Sequence, residues 1–269
     1  MKRLLIFGYG YSARALAEVL RAEGWEVRGT TREGSDALRW PGTDMSTHLD
    51  WASHLLISIA PNADGDPVLN TLKDDIEKAQ FDWVGYLSTT GVYGDHGGGW
   101  VDESSPLTPA TKRGQQRVEA EAAWRALNLP LHIFRLAGIY GPGRGPFAKV
   151  RAGTARRIVK PNQVFSRIHV EDIAQVLAAS IARPNPGAIY NVCDDEAAPP
   201  EDVLAMAAEM LDLPVPPAED FATADMTPMA RSFYAESKRV RNDRIKGDLG
   251  VQLAYPTYRE GLAALLELD

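Results

Sequence analysis

Short apolar runs alternate with longer amphipathic segments along most of the chain. Within Ser12–Glu23, Ala15, Leu16, Val19 and Leu20 recur at helical spacing, whereas the apolar runs are short and closed by glycine or proline. The pattern predicts strands at Leu4–Phe7, Trp25–Thr30, Leu55–Ile59, Trp83–Ser88, Leu131–Leu136 and Ile189–Val192. It predicts helices at Ser12–Glu23, Pro67–Ala79, Arg113–Ala126, Val170–Ile181, Pro200–Leu211 and Tyr258–Leu268.

This alternation of strands and helices is typical of an α/β protein. We predict a Rossmann-type doubly wound parallel sheet with helices on both faces. The segment Ala37–Ser53 is weakly patterned, so the position of a third strand stays open. After residue 140 the pattern becomes less regular, which predicts a smaller substrate-side region toward the C-terminus. We therefore divide the chain into a Rossmann core at 1–140, to which 164–193 returns, and a partly interleaved region at 141–269.

Composition narrows the classes of function. The 269 residues carry 29 Lys plus Arg and 36 Asp plus Glu, a net charge of −7, and no basic block that would favour nucleic acid. The single cysteine, Cys193, excludes an internal disulfide and a Cys-rich zinc site. The first apolar run stops at Gly8, too short for a secretory signal. We expect a cytoplasmic protein without metal, nucleic acid or membrane partners.

A glycine-rich loop follows the first predicted strand and opens the first helix. Its residues, Gly8-Tyr9-Gly10-Tyr11-Ser12-Ala13, fit the pattern G-x-G-x-x-[GA]. The first glycine permits a tight turn, the second lets the backbone approach a pyrophosphate, and Ala13 allows close helix packing. The helix begins at Ser12, directly after Tyr11, and its free N–H groups attract phosphate. The match is weak alone, but its strand–turn–helix context predicts a dinucleotide cofactor site.

The end of the second strand indicates which dinucleotide is preferred. NAD-binding proteins usually place an acidic residue there, about 20 residues after the loop, to bind the ribose hydroxyl. Here the strand ends at Thr30-Thr31-Arg32 without an acid. Arg32 can pair with a 2′-phosphate, and Thr31 or Thr30 can donate a hydroxyl. The sequence therefore predicts NADP in preference to NAD, the alternative being that Arg32 is only a solvated surface residue.

Four further segments carry a family resemblance. They are Leu87–Gly94, Phe134–Gly143, Arg167–Ala174 and Tyr190–Val192. In order and spacing the chain resembles the extended short-chain dehydrogenase/reductase superfamily, the NAD(P)-dependent epimerase/dehydratase family. Ser237-Lys238-Arg239 and Tyr255–Gly261 resemble an atypical, nucleoside-diphosphate-sugar epimerase-like bacterial branch. The resemblance implies a nicotinamide cofactor and a nucleotide sugar or similar small carbonyl or hydroxyl substrate.

The resemblance also implies a catalytic set, which this chain departs from. The family uses a Ser or Thr after the fifth strand, and Thr89 matches that position. Its Tyr-x-x-x-Lys motif is replaced by arginines, with Arg113 at the tyrosine and Arg117 at the lysine position. Arginine stays protonated and cannot relay a proton. The acid is then unidentified: Tyr93 and Tyr140 are candidates, and each has the alternative of being an ordinary buried aromatic.

The remaining assignments follow from the same pattern. Arg117 is expected to hold the nicotinamide ribose as the family lysine does, with Ser58 and Ala60 also beside the cofactor. Three residues are expected to bind an anionic group of the substrate: Arg113, Arg144 and His169. Alternatively, the helix arginines pair with neighbouring glutamates, and His169 makes a structural hydrogen bond.

Two functions remain open from the sequence. One is a reductase or epimerase that uses NADP and acts on a small substrate with an anionic group. Thr89 would then orient the reacting oxygen. The other is a non-catalytic NADP-binding sensor or scaffold, favoured by the missing Tyr-x-x-x-Lys motif. In either case we expect a monomer or homodimer.

Overall fold

The computed structural model describes residues 1–268. Its strands are β1 (Arg3–Phe7), β2 (Glu26–Thr31), β3 (Leu38–Arg39), β4 (His54–Ile57), β5 (Trp83–Thr89), β6 (Trp100–Val101), β7 (Leu131–Leu136), β8 (Gly138–Tyr140), β9 (Arg157–Val159), β10 (Arg167–His169), β11 (Ile189–Val192), β12 (Ala218–Asp220) and β13 (Arg239–Val240). Its α-helices are α1 (Tyr11–Ala22), α2 (Ser46–Trp51), α3 (Pro67–Lys78), α4 (Lys112–Arg125), α5 (Phe147–Arg151), α6 (Val170–Ala182), α7 (Pro200–Met210), α8 (Pro228–Phe233), α9 (Asp243–Gly247) and α10 (Tyr258–Leu268).

Seven strands form one parallel sheet in the order β11-β7-β5-β4-β1-β2-β3. The order reverses between β1 and β4, so the crevice at the carboxyl ends of these strands is where a ligand is expected. This architecture confirms the predicted Rossmann-type doubly wound sheet.

Helices cover both faces of the sheet because its inner strands are apolar on both sides. In β1, Leu4 and Ile6 belong to one buried cluster, which takes most of its helical members from α1 and α6. Leu5 and Phe7 belong to a second cluster on the opposite face, with members from α2, α3 and α4. The two-residue alternation of strand side chains produces this division.

A buried ion pair ties α4 to the sheet. The Glu121 carboxylate accepts hydrogen bonds from Arg135 Nη2 on β7 at 2.8 Å and from Ser88 Oγ on β5 at 2.6 Å. Both charged side chains are almost completely buried. The helix is therefore fixed relative to the carboxyl end of β5, which sets the position of the arginines in its first two turns.

The substrate-side region has its own apolar cluster, contributed mainly by α5, α7 and α10. Short parallel ladders connect it to the rest of the molecule: β8 with β10, β9 with β12, and β6 with β13. Near the C-terminal end, β13 pairs with β6, which lies within residues 1–140. Within residues 1–268, no helix is both long enough and apolar enough to cross a membrane.

The segment that the sequence left open contains β3 and the short helix α2. The two residues of β3 pair with Thr30 and Thr31 of β2, at the edge of the sheet. A strand this short has no periodicity to detect, which explains why the sequence pattern did not define it.

Candidate functional site

A cavity of about 910 Å³ lies at the carboxyl ends of the central strands. Its wall is built from the start of α1, the ends of β4 and β5, the first turns of α4, the segment around β8 and β10, and the stretch 232–240. It thus joins the sheet crevice to the substrate-side region. Its size is in the range of small-molecule and cofactor sites.

The glycine-rich loop forms one end of this wall. Gly8 has φ +92°, and a Cβ there would lie 2.8 Å from Ile59 Cγ1 and 2.9 Å from the Ile59 backbone nitrogen. Gly10 caps α1 without a side chain, and the first turn contains no acidic residue. Ser12 lines the cavity, while Ala13 is fully buried. An open helix N-terminus beside a side-chain-free turn fits a diphosphate group.

The end of β2 lies next to this loop. The Gly8 N–H donates to Thr30 Oγ1 at 3.2 Å, and Thr31 Oγ1 accepts the Gly34 N–H at 2.9 Å. Arg32 directly follows the strand and is exposed. The nearby Asp36 carboxylate is paired with Arg14 at 2.6 Å. These groups suit a phosphate on the ribose at this edge.

Thr89 is the last residue of β5 and lines the cavity. Its Oγ1 accepts the N–H of Gly91 at 3.1 Å and so caps the short 3-10 helix Thr90–Tyr93. The hydroxyl proton is still available for donation, because the backbone contact uses the oxygen as an acceptor. Thr89 can therefore orient a substrate oxygen.

The arginines of α4 both reach the cavity wall. Arg117 Nη1 donates to the Leu87 carbonyl at 2.8 Å and to the Tyr86 hydroxyl at 3.1 Å. Arg113 is more exposed, donates to Ser232 Oγ at 3.5 Å and lies over the ring of Phe233 at 5.0 Å. Arg117 is thus anchored to β5, whereas Arg113 faces α8 across the cavity.

The structure places Tyr93 in the core and outside the cavity lining. Its hydroxyl donates to Asn191 Oδ1 at 2.7 Å and accepts from Arg135 Nη1 at 2.9 Å. Burial raises the pKa of this hydroxyl. A side chain held in this way serves packing and hydrogen bonding, and we do not retain it as a candidate acid.

Tyr140 lines the cavity, but its hydroxyl does not face it. A Cβ on Gly261 would lie 2.1 Å from that hydroxyl oxygen, so the group is buried against α10. Among the described residues it has no hydrogen-bond partner. Burial raises the pKa of Tyr140, and the Asp194 carboxylate acts in the same direction. These surroundings oppose ionisation, which an acid catalyst requires.

His169 is the N-cap of α6 and does not line the cavity. Its Nδ1 accepts the N–H of Glu171 at 3.3 Å, and its ring lies against Tyr140 and Tyr255. Burial lowers the pKa of His169. This is the structural hydrogen bond that the sequence left as the alternative, so the geometry does not support His169 as a substrate ligand.

Three further predicted residues do lie at the cavity: Ser58, Ala60 and Arg144. The Arg144 guanidinium sits over the ring of Tyr11 at 5.8 Å. Tyr11 in turn donates from its hydroxyl to the Pro142 carbonyl at 2.9 Å. Tyr11 therefore connects the glycine-rich loop to the loop that carries Arg144.

The sequence missed the contribution of the stretch 232–240. Tyr234, Glu236 and Lys238 all line the cavity, as does the half-buried Arg167. The only sequence signal was Ser237-Lys238-Arg239, which marked a resemblance but carried no chemistry of its own. Long-range packing through the β6–β13 ladder brings this stretch to the site. Over residues 1–268, no group of three or more His, Cys, Asp or Glu side chains is arranged to hold a metal.

The chain is similar along its whole length to known proteins. It is 30% identical to protein YeeZ of Escherichia coli over 95% of this chain and 97% of that protein. A structure of a functionally unknown conserved protein from Silicibacter pomeroyi is 62% identical, with a TM-score of 0.96 over 100% of this chain and 99% of that one. No family model matches the chain.

Two other solved structures define the wider relationship. An NAD-dependent epimerase/dehydratase from Methylobacillus flagellatus is 27% identical, with a TM-score of 0.75 over 99% of this chain and 98% of that one. The human epimerase family protein SDR39U1, solved with NADPH, is 20% identical and shares the fold, with a TM-score of 0.81 over 98% of each chain. The chain therefore belongs to one family with protein YeeZ of Escherichia coli, and it is similar in structure to NAD-dependent epimerase/dehydratase proteins.

Proposed function

We propose that this protein is an NADP-dependent reductase or epimerase acting on a nucleotide sugar or a similar small carbonyl or hydroxyl compound. One observation carries the proposal. Ser12, in the first turn of α1 directly after the glycine-rich turn, and Thr89 of β5 line the same cavity, which extends toward the substrate-side region. A nicotinamide cofactor bound there supplies or accepts a hydride.

Different residues of the chain bind different parts of the cofactor. The α1 N-terminus and Gly8 receive the diphosphate, Arg32 the 2′-phosphate, and Arg117 the nicotinamide ribose. Ser58 and Ala60 line the cofactor side of the cavity. The fold neighbour SDR39U1 was solved with NADPH, which supports the choice of cofactor by analogy.

The substrate is held by different groups. The Thr89 hydroxyl donates a hydrogen bond to the reacting oxygen and so orients it. Arg113 and Arg144 attract an anionic group of the substrate. Phe233 and Phe165 add apolar area on the same wall. We expect the protein to work on small molecules as a monomer or homodimer in the cytoplasm.

A second candidate function is favoured by one specific observation. Arg113 and Arg117 stand where the family has its tyrosine and lysine, and neither can move a proton. A protein that binds NADP without turnover, as a sensor or scaffold, requires only the cofactor half of the cavity.

The two functions differ in hydride transfer. Purified protein with NADPH or NADP is incubated with a panel that includes UDP-glucose and UDP-glucuronic acid. The reduced-nicotinamide absorbance reports net oxidation or reduction, and chromatography of the sugars reports epimers. The proposal predicts a change with at least one compound. Tight NADPH binding without any such change supports the sensor or scaffold instead.

A further inference from the structure

The cavity wall at 236–238 contains an ion pair that the family motif does not use. Lys238 Nζ lies 2.8 Å from Glu236 Oε2, and each side chain is only 11% exposed. Both residues line the cavity. A pair so shielded from solvent, at the wall of a ligand-sized cavity, is unlike the exposed surface pairs of this protein such as Arg244 with Asp248.

The position of Lys238 is fixed by the backbone. Its ammonium also donates to the Gly94 carbonyl at 2.7 Å, directly after the 3-10 helix that Thr89 caps. Ser237 holds the same segment, because its N–H donates to Asp95 Oδ1 at 2.8 Å and its hydroxyl to the Asn162 carbonyl at 2.7 Å. The lysine is therefore presented from a rigid segment beside the carboxyl end of β5.

Both members of the pair have unused hydrogen-bonding capacity. An ammonium has three donors, and those of Lys238 have two acceptors among residues 1–268, the Gly94 carbonyl and the Glu236 carboxylate. The other oxygen of that carboxylate, Oε1, is buried and has no hydrogen-bond partner within the same residues. The Lys238 ammonium therefore keeps one donor for a polar ligand at the cavity wall, while the unpartnered oxygen of Glu236 lies buried behind it.

The arginines and the candidate acids expected from the sequence cannot supply a proton in this way. Arg117 is a permanent cation anchored to β5, and Arg113 is also an arginine. The hydroxyls of Tyr93 and Tyr140 are buried away from the cavity.

The geometry points to Lys238 as the proton-transferring residue of this enzyme, with Glu236 as its positioning partner, in place of the family tyrosine. This assignment rests on the proposed function. In the reducing direction the carbonyl carbon of the substrate accepts a hydride from the reduced cofactor, and the carbonyl π pair becomes the new O–H bond with a proton from Lys238. The neutral amine regains a proton from water through Glu236. The oxidising direction runs these transfers in reverse.

The first arm of the test measures hydride transfer. Lys238→Met, Lys238→Arg and Glu236→Gln are compared with Lys149→Met, which removes an exposed lysine of α5. The substrate is the panel compound that reacts fastest with wild-type protein, or benzaldehyde where no sugar reacts. We expect Lys238→Met to slow the transfer by about 10²–10⁴-fold, the contribution of a general acid. Lys238→Arg loses nearly as much, because arginine donates hydrogen bonds but no proton.

A chemical rescue and a binding measurement separate catalysis from structure. Added ethylamine restores part of the rate of Lys238→Ala, which a purely structural role would not allow. The dissociation constant for NADPH stays within about twofold in every variant, because the cofactor cradle is untouched. Unchanged hydride transfer by Lys238→Met overturns the assignment while leaving the proposed function intact.

The second arm needs no turnover. Pyridoxal 5′-phosphate forms an imine with an accessible amine, which borohydride traps for mass spectrometry of the wild-type protein. We expect Lys238 to be labelled, and NADPH at about 100 times its dissociation constant to slow that labelling at least tenfold while labelling of Lys149 is unchanged. If the wild-type protein reduces none of the compounds, the proposed function fails. If, in addition, Lys238 is not labelled, or NADPH does not protect it from labelling, the assignment of Lys238 is overturned as well.

Discussion

At the scale of single residues, the proposed preference for NADP depends on Arg32. It follows β2 at the place where an NAD-binding protein carries an acid, and the nearby Asp36 is already paired with Arg14. Replacement by alanine removes a charge-assisted contact to the 2′-phosphate, worth about 1.5–3 kcal/mol or roughly 10–150-fold in affinity. We expect Arg32→Ala to weaken NADPH binding by that factor, as measured by calorimetric titration.

Two controls make this prediction specific. NADH lacks the 2′-phosphate, so its dissociation constant is expected to stay within about twofold in Arg32→Ala. The exposed Arg241 carries the same charge at a different site, and Arg241→Ala should leave NADPH affinity unchanged. Equal losses for NADPH and NADH would contradict the role of Arg32.

A substitution at Gly8 tests the glycine-rich turn itself. Its φ of +92° disfavours any side chain, and a Cβ would meet Ile59 at 2.8 Å. Strain and overpacking together predict that Gly8→Ala lowers the free energy of unfolding by about 2–4 kcal/mol and abolishes cofactor binding. Gly24→Ala is the matched control, since Gly24 has φ +81° but open space around it. Denaturant unfolding of both variants separates the backbone strain of a positive φ from the clash with Ile59. Equal losses in the free energy of unfolding for the two variants would argue against a crowded turn at Gly8.

Single residues also show which parts of the site could be predicted from the sequence and which could not. Gly8, Gly10, Thr89 and the two arginines of α4 were found because each belongs to a local motif with a known spacing. Lys238 reaches the same cavity only through the pairing of β13 with β6, more than a hundred residues away along the chain. No local pattern encodes such a contact. Side-chain direction was likewise hidden, so the sequence could not decide whether Tyr93 and Tyr140 were acids at the site or ordinary buried aromatics.

At the scale of elements, the Glu121–Arg135 pair joins α4 to β7. Removing one partner of a buried ion pair leaves an uncompensated charge, which costs about 3–5 kcal/mol. We therefore expect Glu121→Gln to lower the free energy of unfolding by that amount in urea denaturation. It should also weaken cofactor binding, because α4 carries Arg117.

Glu119→Gln is the matched control on the same helix. Glu119 is exposed, so its replacement is expected to change the free energy of unfolding by less than about 0.5 kcal/mol. Similar stability for the Glu121 and Glu119 variants would show that α4 is held by apolar packing alone.

The elements of the Rossmann core were predictable because buried parallel strands and amphipathic helices leave strong periodicities. The helices α1, α3, α4, α6, α7 and α10 were all predicted within a few residues of their observed ends. The short elements α2, α5, α8 and α9 were not, because five or six residues contain too few turns to define an apolar face.

At the scale of the whole molecule, stability should depend on pH through His54. Its ring lies between Trp25 and Trp83, and burial lowers its pKa to about 4. The unfolded chain takes up a proton near pH 6.5 while the folded protein does not, so the free energy of unfolding falls as pH decreases from about 6.5 to about 4.

His54→Gln removes this titration. We expect its free energy of unfolding to fall less steeply over the same pH interval than that of the wild-type protein, as followed by urea denaturation at several pH values. An identical slope for His54→Gln would mean that His54 is not the group responsible.

The molecule as a whole combines a glycine-rich turn that fits the dinucleotide-binding pattern with a proposed proton-transfer site, at Lys238, that departs from the family motif. Its net charge of −7 does not attract an anionic ligand, so binding depends on local cations around the cavity. The family and the fold followed from the sequence, whereas the composition of the substrate wall required the three-dimensional structure.

The most direct test of this account is the affinity of the purified protein for NADPH and NADH, measured side by side by calorimetric titration at one ionic strength. The account predicts that NADPH binds at least about tenfold more tightly, because Arg32 pairs with the 2′-phosphate. Failure to bind either nucleotide, or equal affinity for both, would contradict it.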